Sequence, residues 1–206
     1  MLEKLIVFVE EASMGAALEI LLPKMLGEVD FQIIQFQCKD DLLKKLPSRL
    51  QGYKSWMPES WSIFVLLDRD DDDCRTLKQH LENESEKAGL LTKTNAAPGQ
   101  RFQVANRIVI EELEAWYFGD WDAVKHAYPK VSSTIPKKAA YRNPDAIGGG
   151  TWEALEKILQ KCGYYSTGLR KIECARAVAK NMAPDHNISH SFNIFHNALN
   201  DALAWE

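Results

Sequence analysis

The chain has 206 residues, of which 46% are hydrophobic and 26% charged, with a formal net charge of −4. This composition excludes wholesale disorder, a collagen-like repeat and a disulfide-dense miniprotein. The length fits one domain, or one domain with a smaller appendage. No apolar run approaches the roughly 18–20 residues of a membrane helix. The start, residues 1–10, is too short and too acidic for a signal peptide. The expectation is a cytoplasmic protein without a membrane segment. The four cysteines, Cys38, Cys74, Cys162 and Cys174, form no Cys-x-x-Cys pair and read as free thiols.

Charge is unevenly spread. Residues 1–120 hold 14 basic and 21 acidic side chains, a net of −7. Residues 121–180 hold 11 and 5, a net of +6, and residues 181–206 hold 0 and 3. An acidic first half followed by a basic stretch suits a metal site beside an anionic substrate.

Residues 3–10 are apolar enough for a buried parallel strand. Ser13 is placed to cap a helix that carries Ala16, Leu18, Leu21 and Leu22 and ends at Gly27. Residues 31–37 read as a strand and 40–50 as a short amphipathic helix. Residues 62–68 (SIFVLLD) are the clearest strand. A helix starting at Asp72 or Asp73 runs to about Gly89. Residues 103–110 form a fourth strand and 112–118 a helical segment. This alternation predicts a parallel, right-handed α/β sheet with helices on both faces. Residues 129–150 read as loop, and 151–162, 167–182 and 190–204 as three helices. The division falls into residues 1–125, an α/β unit, and 126–206, a basic loop with a helical extension.

Open α/β sheets bind ligands beyond the carboxyl ends of their strands. Here those ends are acidic: Glu10 and Glu11 after the first strand, Asp68-Arg69-Asp70 after the third, Glu111, Glu112 and Glu114 after the fourth. Such a cluster repels itself without a cation, and hard cations such as Mg²⁺ or Mn²⁺ take oxygen ligands. Metal-assisted phosphoryl chemistry is the natural use. Each residue alone also reads as a helix cap or surface acid. Glu111 and Glu114, at i and i+3, would share a helical face.

A Glu ending the first strand and Asp-x-Asp ending a later one resemble the Toprim fold over about residues 1–120. More narrowly, Val9-Glu10, residues 67–74 (LDRDDDDC), residues 112–117 (ELEAWY), Asn143-Pro144-Asp145 and Ser191-Phe192 are similar to an RloG-like family found near restriction and anti-phage loci. The resemblance implies a Toprim-like parallel sheet flanked by helices and followed by a helical C-terminal region. It also implies a metal-dependent nuclease, with Glu10 as metal ligand or general acid/base and Asp68 and Asp70 as metal ligands. Glu114 matches the narrower family's signature. Many Toprim domains have Gly after the first glutamate, where this chain has Glu11.

The basic segment offers phosphate partners: Lys137, Lys138 and Arg142, to which Lys125, Lys130 and Lys171 add, with Arg69 beside the acidic pair. Lys138 is the candidate to stabilise charge on a scissile phosphate. Tyr141 is placed to stack on a base. Residues 148–151 (GGGT) lack the Lys-Ser/Thr of a P-loop and read as a loop capped by Thr151. His186, His190 and His196 lack a zinc-site pattern. Trp116, Trp121, Trp152 and Trp205 read as packing anchors.

A receiver-like signalling module is a weaker reading, because no fifth strand ending in Lys follows. A catalytically dormant interaction subunit of an ATPase-containing defence complex is the alternative to the nuclease. Nucleic acid, DNA or RNA, is the expected partner of the active form.

Overall fold

A computed structural model describes residues 1–70 and 72–205 of the chain. Asp71, in the acidic run 70–73, lies outside the described residues, as does Glu206. The first half alternates β1 (Lys4–Val9), α1 (Ala12–Leu26), β2 (Asp30–Gln35), α2 (Lys39–Trp56), β3 (Trp61–Asp68), α3 (Cys74–Lys87) and β4 (Val104–Val109). Two short helices follow, α4 (Glu114–Gly119) and α5 (Trp121–Ala127). After three 3-10 turns come α6 (Thr151–Lys161), α7 (Lys171–Asn181) and α8 (His190–Leu203).

The four strands form one parallel sheet in the order β2-β1-β3-β4. β1 and β3 are central, and their side chains are apolar on both faces because both faces are covered. β2 lies at an edge and alternates exposed and half-buried positions. The chain leaves β1 toward one edge and leaves β3 toward the other. The strand order therefore reverses between β1 and β3, and the crevice at their carboxyl ends is the topological switch point.

Side chains alternate across each strand, so one sequence feeds two cores. Ile6, Phe8, Ile63, Val65 and Leu67 pack against α2 and α3 through Leu42, Leu46, Leu50, Leu77 and Leu81. Leu5, Val7, Val9, Phe64 and Leu66 face the other way, onto α1 and the C-terminal helices. There α7 runs along α1, and α8 lies over β4. The helical extension after residue 126 thus shares a core with the sheet. The Nζ of Lys24 on α1 donates to the carbonyls of Ala179, Lys180 and Met182, satisfying the open end of α7.

Several local expectations change. α2 continues six residues past Leu50 because Tyr53 extends the buried stripe. Ser13 does not cap α1: Glu11 holds that position, and the Ser13 hydroxyl donates to the Glu11 carboxylate. Thr151 does not cap α6 either. The Glu112 carboxylate does so, accepting from the amides of Thr151 (3.1 Å) and Trp152 (3.0 Å). No helix among the described residues is long and apolar enough to cross a membrane.

Candidate functional site

The parallel register of β1 and β3 sets Val9 beside Leu66 and brings the two strands to their ends together. Glu10 follows the last residue of β1, and Asp68 is the last residue of β3. Both are buried, at 8% and 4% exposure, and Glu114 in the first turn of α4 is buried at 1%. One oxygen of each of these carboxylates (Glu10 Oε2, Asp68 Oδ1 and Glu114 Oε2) is buried without a hydrogen-bond partner. An unpartnered buried carboxylate oxygen is costly, so its proton affinity rises. Burial, followed by the nearby Asp70, pushes the Glu10 carboxyl up to about 7. Burial likewise raises Glu114 to about 7. Asp68 is held well above the carboxylate range by burial and by the negative charges of Glu10, Glu11, Glu114 and Asp70.

A more exposed ring surrounds this cluster. Asp70 adopts a left-handed backbone (φ 49) and pairs with Lys39 at 2.6 Å. The same Lys39 Nζ pairs with Asp72 at 2.9 Å and donates to the Arg69 carbonyl at 3.1 Å. Glu111 is also left-handed (φ 63), and its carboxylate pairs with Arg69. The Asp70 amide donates to the Glu111 carbonyl at 3.4 Å, so the loops after β3 and β4 are laced together. Two left-handed non-glycine residues at one strand edge are unusual, and such positions cluster at functional sites. Glu111 precedes the helix in this left-handed turn, and so it does not share a helical face with Glu114. Arg69, expected to meet phosphate, is engaged by Glu111.

A further cation comes from the C-terminal region and acts on Asp68 and Glu114. Lys171 opens α7, and its Nζ lies 3.8 Å from Glu11 Oε2. Burial alone would depress Lys171, but Glu114, Glu11, Glu112 and Asp68 hold its pKa above the usual value. Its ammonium also sits 5.2 Å from the ring centre of Trp152. The buried Tyr117 hydroxyl has no hydrogen-bond partner, and burial and the Glu114 charge keep it protonated. Lys171, which the sequence offers only as an addition to the basic segment, lies against the acids, and Lys39 and Tyr117 are not among the sequence candidates. Lys39 and Lys171 lie far along the chain from the acids they meet. Tyr117 was findable, one helical turn after Glu114.

Lys137, Lys138 and Arg142 lie on exposed 3-10 turns, and among the described residues none forms an ion pair. Tyr141 does not stand free for a base: its ring stacks on Phe118 at 5.5 Å. The neighbouring Asp145 is structural. Its carboxylate accepts from the amides of His190 (2.6 Å) and Ser191 (3.2 Å) and from the hydroxyls of Ser189 and Ser191, closing the start of α8. Ser191 in turn accepts from the Trp116 indole at 3.2 Å. The motifs 114–116, 143–145 and 191–192 therefore meet in one network that fixes α4, and with it Glu114.

The donor set suits a hard divalent cation: Glu10 and Asp68 are acceptor-only when ionised, and each has an unsatisfied buried oxygen. Among the described residues no three His, Cys, Asp or Glu side chains are arranged to hold a metal ion. A cavity of about 460 Å³, lined in part by Asp120, His126, Asn181 and His186, involves none of these acids.

These features define an α/β protein with a buried acidic cluster at the switch point of a parallel sheet. The chain belongs to the family of the domain of unknown function DUF4276, whose model matches residues 9–200. No curated protein and no solved structure matches the chain.

Proposed function

We propose that the chain is a metal-dependent phosphodiester hydrolase of Toprim type acting on nucleic acid with Mg²⁺ or Mn²⁺. One observation carries this reading: Glu10 and Asp68 stand together at the switch point with unsatisfied buried oxygens. Glu10 and Asp68 would hold the cation, with Asp70 joining once released from Lys39. A bound cation supplies Lewis-acid polarisation of a phosphoryl oxygen. Without a cation, burial and Asp70 raise the Glu10 carboxyl to about 7; a bound cation would hold it ionised, as a ligand. Lys171 faces the same carboxylates and is placed to balance charge that develops on phosphate. The charge of Glu114 helps to keep Lys171 protonated.

Calorimetric titration of Mg²⁺ and Mn²⁺ into metal-free protein tests the site, with Asp68→Ala as control. Binding and metal-dependent cleavage, both lost in the control, are expected. Cleavage that persists in Asp68→Ala overturns the assignment.

One feature favours a second reading, a dormant subunit of an ATPase-containing defence complex. Lys39 and Lys171 already set two positive charges against the acids, and Glu11 stands where Toprim domains have glycine. Stable co-purification with an ATPase, together with no cation binding, would favour it.

A further inference from the structure

We propose that Lys39 is the phosphate-binding residue of the site, freed for that role when Asp70 leaves its ammonium for the cation, an inference that rests on the hydrolase reading above. Lys39 is the first residue of α2, so the carboxyl end of β2 delivers it to the sheet edge that carries the acids. Its Nζ meets three acceptors in the loop after β3: Asp70 at 2.6 Å, Asp72 at 2.9 Å and the Arg69 carbonyl at 3.1 Å. An ammonium has three N–H donors, so Lys39 is saturated. Phosphate can reach it only by displacing one of these acceptors.

Asp70 is the acceptor with somewhere else to go. Its charge acts on both Glu10 and Asp68, whose buried oxygens lack partners. Asp70 is therefore drawn to a cation at those oxygens, and the ammonium is repelled by it. Asp72 and the Arg69 carbonyl remain to hold Lys39 in place. The Lys39 side chain is only 14% exposed, so a donor left open there is costly until an anion fills it. A phosphodiester oxygen is such an anion, and lysine is a common partner of phosphate. The contact also differs from the ordinary lysine pairs of this chain. Lys45–Asp41 and Lys87–Glu84 join exposed lysines to acids on their own helix. Lys39 instead reaches from α2 to the loop after β3, and Glu10 is among the charges that act on it. The exchange makes cation and phosphate cooperative, each strengthening the other by the same factor.

The test is calorimetric titration of Mn²⁺ into the metal-free full chain, with and without excess dimethyl phosphate, a minimal phosphodiester, at constant ionic strength. In the wild type, dimethyl phosphate is expected to tighten Mn²⁺ binding at least threefold. Lys39→Met should bind Mn²⁺ several-fold more tightly than the wild type by itself, and dimethyl phosphate should then change its affinity less than twofold. Lys39→Gln repeats the measurement if the methionine variant does not fold. Asp70→Asn, which has no charge to exchange, should also lose the enhancement. Lys45→Met, a lysine exchange on the same helix, should behave as the wild type. No enhancement in the wild type, or an equal enhancement in Lys39→Met, overturns the exchange; metal-dependent cleavage lost in Asp68→Ala would still leave the hydrolase. Enhancement that needs both Lys39 and Asp70, without cleavage of DNA or RNA by the wild type, would keep the phosphate site and sink the hydrolase. No Mn²⁺ binding by the wild type or any variant overturns both.

Discussion

Lys171 Nζ lies 3.8 Å from Glu11 Oε2, so the first residue of α7 meets the residue that opens α1, 160 positions earlier in the chain. The pair makes the C-terminal helices part of the acidic site. It also sets a competition, because a fixed ammonium and an incoming cation are balanced by the same carboxylates. Lys171→Met should therefore tighten Mg²⁺ binding several-fold in calorimetry while lowering the melting temperature of the metal-free protein at pH 7.5. It should also reduce metal-dependent cleavage at least tenfold. Weaker Mg²⁺ binding in this variant would show that Lys171 does not compete for the acids.

Asp68 makes a second sign test. Burial and four neighbouring acids oppose its ionisation, which is a cost to folding in the absence of a cation. Asp68→Asn keeps the shape and removes the charge. The metal-free variant should melt higher than the wild type at pH 7.5, by about 2–4 °C for each kcal/mol recovered. In saturating Mg²⁺ the order should reverse, because only the wild type gains from binding. A lower melting point for Asp68→Asn in EDTA would contradict the electrostatic account.

The pH dependence follows from Glu10 and Glu114. Both have an ordinary value of 4.5 that the fold raises to about 7. Between those values the folded chain retains protons that the unfolded chain has lost, so stability falls as pH rises. Metal-free protein should melt higher at pH 5 than at pH 7.5, with the loss complete somewhat above pH 7. Glu114→Gln should shrink the difference, and so should Mg²⁺. A flat profile between pH 5 and pH 7.5 in EDTA would refute the raised values.

Much of this site is legible in the sequence, and what is not has a common cause. The strands announce themselves by apolar runs ending in acids, and a parallel sheet delivers strand ends to one edge; hence Glu10 and Asp68 are readable from local pattern alone. Asp70 and Glu111 are readable as acids but not as left-handed residues locked to Lys39 and Arg69, because backbone conformation at a loop is set by its neighbours. Lys39 is invisible and Lys171 reads only as one more basic residue, since nothing near either in the chain marks its partner. The conspicuous basic run is at 137–142, yet among the described residues its cations form no ion pair, whereas Lys171 meets Glu11. Asn143-Pro144-Asp145 is similarly deceptive: it sits beside that run, yet Asp145 serves the start of α8. Asp145→Ala should cost about 1–2 kcal/mol, the range for a lost helix cap, read as a lower midpoint in urea. An unchanged midpoint would mean that Ser189, whose hydroxyl accepts from the Phe192 amide, caps α8 unaided.

Gly119 tests how tightly the network around Glu114 is held. It ends α4, and its carbonyl accepts from the Ile188 amide at 2.9 Å. Across from it, Asn187 donates to the Trp116 carbonyl at 2.8 Å and accepts from the Ser189 amide at 2.9 Å. A methyl group on Gly119 would collide with the Asn187 side-chain oxygen and lie 2.8 Å from the Ser189 nitrogen and 2.9 Å from its Cβ. Two of those atoms belong to buried groups already committed to hydrogen bonds, so neither can move freely. Gly119→Ala should therefore destabilise by about 1–3 kcal/mol, as overpacking does, whereas alanine within a helix is ordinarily favourable. Because α4 carries Glu114, the same variant should also weaken Mg²⁺ binding, and restoring space with Asn187→Ala should not rescue it, since the Trp116 carbonyl then loses its donor. Gly119→Ala with wild-type stability would show that α4 and the segment before α8 are not packed as closely as their contacts require.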